Sequence, residues 1–96
     1  MLTRSDTIEL TLETARQKLE KAGVIPFNST PRDIVNLINA NVMRLSSYNK
    51  GLALSAAGQL WNMERKLKRD VTWDDLVTSK LEKTLETLTV ELANMA

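Results

Sequence analysis

Cysteine and histidine are both absent from this chain, and the two absences close most of the familiar routes to catalysis. Histidine is the side chain best suited to proton transfer near neutral pH. A cysteine thiolate is the commonest soft nucleophile, and zinc sites draw mainly on these two residues. No disulfide framework can form, so cysteine usage says nothing of redox compartment. No glycine-rich phosphate loop of the G-x-x-x-x-G-K-[ST] or G-x-G-x-x-G type occurs. Aspartates 74 and 75 are adjacent, and a helix start explains them better than a metal does. These absences predict a protein that is not an enzyme and carries no cofactor or metal. No apolar run approaches the ~18–20 residues a membrane helix needs, and "MLTRSDTIEL" lacks the apolar core of a secretory signal. The expectation is a cytoplasmic protein with no membrane partner.

What remains is ordinary globular material. The 96 residues are 43% hydrophobic and 26% charged with a net charge of +1, too apolar for disorder and too balanced for a global pull toward nucleic acid or lipid. A chain of this length makes a single domain, residues 1–96. Its core is small, so self-association is an expected source of extra stability.

Four helical segments are predicted. In the first, about Thr7 to Ala22, Ile8, Leu12, Ala15, Leu19 and Ala22 recur at alternating steps of four and three, the stripe of an amphipathic helix. Gly23 suits a left-handed cap, with Val24 folding back on the last turn, and Pro26 bars continuation. The second opens with Thr30 as N-cap, Pro31 in the first helical position and Asp33 as the capping acid. It carries Ile34, Val35, Ile38, Val42 and Leu45. Asn41 lies beside that stripe, where a buried amide fixes register or a half-exposed one does nothing. Asn36 and Asn39 belong on the surface. "SSYNKG" at 46–51 is read as a break, with Asn49, Lys50 and Gly51 as a turn. The third segment covers about 52 to 69. The fourth starts at Thr72, with Asp75 as its capping acid, and runs to the end of the chain on Val77, Leu81, Leu85, Leu88, Leu92 and Met95. Trp73 lies beside that stripe, as a core residue or a lid on the helix junction. No strand-like alternation of useful length appears. The fold class is therefore all-α, a small antiparallel bundle of about four helices completed by dimerisation.

The most charged stretch is "ERKLKRDVTWDD", residues 64–75. Its cations Arg65, Lys66, Lys68 and Arg69 are matched in number by Glu64, Asp70, Asp74 and Asp75. Cations in a last turn and acids in a first turn are what two successive helix dipoles favour. On a wheel of about 100° per residue, the cations lie opposite Leu60, Met63 and Leu67 and face water. Charge also separates along the chain: residues 51–71 sum to +2 and residues 72–96 to −3, which suits pairing of neighbouring helices or subunits.

Trp61 does not fit a helix-end account. It falls beside Leu54 and Ala57, next to Arg65 and Lys68, and widens the apolar arc of the third helix to about 200°, against the ~100° of a surface helix. Such an arc belongs either to a central helix packed on two sides or to a face that docks a partner. The small residues Gly51, Ala53, Ser55, Ala57 and Gly58 suit close helix approach, although alanine's helix propensity explains part of this run. The expected function is a non-enzymatic protein-interaction module, a regulator, adaptor or inhibitor, acting through Leu54, Ala57, Trp61 and Arg65 as a homodimer. The alternative is a nucleic-acid-binding regulator using Arg65, Lys66, Lys68 and Arg69 in a dimer, with Arg44 and Lys50 as further contacts. The two differ in whether binding survives high salt.

Overall fold

A computed structural model describes residues 11–95 and is all-helical over that range. The first helix, α1, spans Leu12–Lys21. Thr11 is its N-cap and exchanges backbone-to-hydroxyl hydrogen bonds with Thr14. The helix therefore begins at Leu12, and the expected start at Thr7 and the stripe residue Ile8 lie outside the described residues. Its end is as anticipated. Gly23 has φ +76, and the Val24 and Gly23 amides bond back to the Leu19 and Glu20 carbonyls at 3.0 Å, the paired bonds of a left-handed helix stop.

Helix α2, Pro31–Ala40, starts on the expected box: Asp33 N–H donates to Thr30 Oγ1 and Thr30 N–H to Asp33 Oδ2. It ends earlier than its apolar stripe suggests. Asn41 turns its amide onto the Leu37 carbonyl of its own helix at 2.9 Å, and a 3-10 turn over Val42–Arg44 follows. Leu45 is still buried, carried inward by the turn instead of a helix.

The break between the second and third helices exists but sits several residues early. Helix α3 spans Ser47–Leu67, so Asn49, Lys50 and Gly51 are helical and form no turn. Ser46 caps it by accepting the Asn49 N–H at 3.3 Å. Glu91 supplies a second tie, taking the Ser46 amide and the Asn49 side chain. A carboxylate at a helix N-terminus answers both the orphan donors and the dipole. The helix stops at Lys68, which is left-handed at φ +56.

Thr72 and Asp75 form the anticipated capping box, but they open only a single turn, α4, Trp73–Leu76. Thr78 at φ +64 breaks the chain there. A new helix, α5, Lys80–Met95, follows, with the Glu82 N–H bonded to Ser79 Oγ at 3.1 Å. The expected fourth helix is thus two helices. Val77, assigned to the core stripe, is 56% exposed, because the stripe is interrupted just after it.

The core is built around α5. Leu81, Leu85, Leu88 and Leu92 are buried, with Thr89 and Ala93 on the adjoining arc. This helix packs against α1, α2, α3 and α4. Ala15 and Leu19 come from α1, Ile34, Val35 and Ile38 from α2, and Ala53, Ala56 and Leu60 from α3. At roughly 1.5–3 kcal/mol per buried large side chain, the α5 leucines are the largest single contribution. Direction follows from polar ties at the ends. Arg32 near the start of α2 pairs with Glu64 near the end of α3, and Glu91 of α5 holds the start of α3, so α3 runs opposite to both neighbours. By contrast, the Leu12 amide meets Glu86 at 3.0 Å while Leu19 and Leu92 share a cavity wall. Helices α1 and α5 therefore run the same way.

Candidate functional site

The central position fixes the fate of α3. Because α5 is the helix packed on several sides, α3 buries only the narrow arc of Ala53, Ala56 and Leu60. The rest of its wide apolar surface meets solvent: Leu54 is 73% exposed and Trp61 54%. Seven residues apart, they share one stripe of the helix. Ala57 is half-buried and rests against the core at the edge of that stripe. One turn beyond the tryptophan, the Arg65 guanidinium lies over the indole, 4.6 Å from its centroid. Leu54, Ala57, Trp61 and Arg65 are thus contiguous, and three of them are open to solvent.

The small residues divide between two faces. Ala53 is buried inside, while Gly51, Ser55 and Gly58 face water. A Cβ placed on either glycine meets nothing within 4 Å, and neither has a positive φ. Each glycine costs about 0.5–1 kcal/mol relative to alanine in a helix interior, and nothing within the fold requires either of them.

All four candidate cations are exposed, but they are not equivalent. Arg69 is occupied. Its guanidinium forks onto both Asp75 oxygens at 2.8 and 2.9 Å and reaches the Asp70 carbonyl. This pairing, with the Thr72 amide, holds the Asp75 carboxyl well below the usual carboxylate range. Arg69 is fixed as part of the α4 cap. Arg65, Lys66 and Lys68 have no carboxylate partner among the described residues. Glu64, the sole acid of α3, is taken by Arg32.

Two further features lie away from that face, and only the second went unforeseen in the sequence. Trp73 closes the junction as a lid: its Nε1 donates to the Ser29 carbonyl at 2.7 Å, and Arg16 stacks on its ring at 4.3 Å. Trp73 is the structural tryptophan and Trp61 the solvent-facing one. A small half-open cavity lies between the ends of α1, α2 and α5, walled by Leu19, Val24, Leu37 and Leu92 with Asn41, Arg44 and Met95 at its mouth. It gathers residues from widely separated parts of the chain, so periodicity could not indicate it.

Among the described residues, no group of three or more acids is placed to hold a metal ion, and no helix is long and apolar enough to cross a membrane. Compared with protein-family models, curated proteins and solved structures, the chain matches none.

Proposed function

We propose that this protein is a small non-enzymatic interaction module, a regulator, adaptor or inhibitor working in the cytoplasm, that docks another polypeptide on the exposed face of α3. The supporting observation is the pairing of Leu54 with Trp61 on one solvent stripe. Buried aromatic anchors with a surrounding polar rim dominate protein interfaces, and Arg65, Lys66 and Lys68 supply such a rim. The homodimer expected from the small core is the version of this reading in which the docked polypeptide is a second copy. The nucleic-acid reading retains three of its four helix-end cations on each copy once Arg69 is committed to Asp75, and three phosphate contacts per copy give a salt slope of about −2.7 from each.

Affinity capture from nuclease-treated cell lysate, using wild type and Trp61→Ala at low and high salt, tests the proposal. Defined proteins held by wild type at high salt and released by the variant are expected. Equal retention by both proteins removes α3 as the docking face. Capture that depends on nucleic acid and washes off with salt puts the basic rim in its place.

A further inference from the structure

Along α3 the residues Gly51, Leu54, Gly58, Trp61, Arg65 and Lys68 follow one another at steps of three and four, and every one is exposed. The first half of this stripe is apolar and stripped of side chains at its glycines. The second half is one exposed tryptophan followed by two cations. With Glu64 turned onto Arg32, no free acid stands on α3. We propose that the occupant of this face is an amphipathic segment of another protein that carries acidic residues beside its apolar anchor, with Arg65 as the receptor for one carboxylate.

The arrangement of Arg65 is what specifies a carboxylate. Its guanidinium is stacked over Trp61, which immobilises the plane while leaving the N–H donors at its edge. No side-chain acceptor uses those donors among the described residues. A held guanidinium presents the two-pronged geometry that a carboxylate accepts, and part of the ordering cost is already met. Lys66 and Lys68 add unpaired positive charge within a turn of it. Leu54, flanked by the two glycines, offers the apolar end, where an approaching backbone is not held off by side chains.

A second copy that pairs its α3 with this one fits worse. A parallel α3 pair sets Arg65 against Arg65. An antiparallel pair centred on Gly58 sets Arg65 of one copy beside Gly51 and Lys50 of the other. Neither arrangement brings a carboxylate to the guanidinium, and like charges brought together in an interface are penalised.

This inference rests on the docking role proposed for α3, and the test separates the two. The probes are two labelled amphipathic peptides about the length of α3, sharing one leucine and alanine stripe. One carries glutamate on its flanks and the other lysine. Fluorescence anisotropy should show the acidic peptide binding about tenfold more tightly, from three exposed pairs worth roughly twofold each. The advantage should shrink at high salt, and Arg65→Glu with Lys68→Glu should reverse the preference. Arg65→Lys keeps the charge without the fork, so it should retain only part of the wild-type affinity. Circular dichroism confirms that each variant is folded. Equal binding of both peptides, lost in Trp61→Ala, keeps the docking face and overturns the acidic partner. If neither peptide binds and sedimentation shows a dimer that Trp61→Ala dissociates, the second copy is the occupant and the inference fails. Binding of an oligothymidine strand in place of either peptide transfers the rim to nucleic acid. A monomer that binds none of these overturns both readings.

Discussion

The two tryptophans should respond to truncation in opposite ways. Trp61→Ala removes a ring that is 54% exposed and makes one contact of note, the Arg65 stack. An exposed cation–π pair contributes about 0.5 kcal/mol, and alanine recovers a similar amount through its helix propensity. The net change is within ~0.5 kcal/mol, the ordinary range for surface substitutions. Trp73→Ala is different. Full burial would make the truncation cost about 3–5 kcal/mol, and half-burial brings this to about 2. Ser29, whose carbonyl accepts the indole N–H, is 2% exposed, and orphaning such a group adds about 1 kcal/mol. A total near 3 kcal/mol corresponds to a fall in melting temperature on the order of 15 °C for a domain this small. Urea and thermal unfolding followed by far-ultraviolet circular dichroism avoids reliance on either tryptophan as a probe. The measurement belongs at low protein concentration, because a dimer would add its own concentration-dependent stability. A loss above about 1.5 kcal/mol for dilute Trp61→Ala would place that ring in the fold's own core, a mechanism surface truncation does not supply, and remove the docking face.

Three further outcomes follow from single side chains. Asp75 has its pKa lowered in the fold, first by Arg69 and then by the Thr72 amide, so its contribution is complete above the unfolded carboxylate value near ~3.9 and is lost as pH falls below it. The gap in melting temperature between wild type and Asp75→Asn should therefore be widest near neutrality and close through acid; a gap constant with pH refutes the pairing. Thr89 is fully buried and its hydroxyl has no partner among the described residues, so the isosteric Thr89→Val should raise stability by about 1 kcal/mol in urea unfolding. Gly58→Ala should stabilise the monomer by about 0.5–1 kcal/mol while weakening any partner that approaches α3 closely, a combination that a purely local helix effect cannot produce.

Most of what could be read in the sequence is local chemistry. Thr30 with Asp33, Thr72 with Asp75, and Gly23 with Val24 each complete their bonds within a few residues, so the residue types alone announce them. The misplaced boundaries have two causes. Ser79 followed by Leu81 and Glu82 is itself a capping pattern, and it marks the start of α5, but the apolar spacing from Val77 to Leu81 runs straight through the break and hides it. The start of α3 joins a local cap, Ser46, to Glu91, more than forty positions away along the chain, and no local signal carries the second. Asn49, Lys50 and Gly51 read as a turn because their propensities favour one. A cap and a distant carboxylate override that preference by satisfying the first-turn donors.

The candidate site was legible in composition and illegible in placement, for a physical reason. A helical wheel shows that α3 is apolar over twice the arc a surface helix needs, and Leu54, Ala57, Trp61 and Arg65 are neighbours on the wheel as they are on the helix. Whether that arc is covered depends on which helix takes the middle of the core. The position falls to α5, whose leucines occupy one arc while Thr89 and Ala93, both small enough for close packing, open a second. Once α5 faces four helices, α3 is left with two, α2 and α5, and the short 3-10 turn. The surplus apolar surface of α3 is then a property of the finished monomer. Two glycines that nothing in the fold requires and a guanidinium held without a carboxylate lie on that same surplus face. The helix dipole favours a cation at Arg65 but requires neither its lack of a carboxylate nor the two glycines, and the acidic segment proposed above would make use of both.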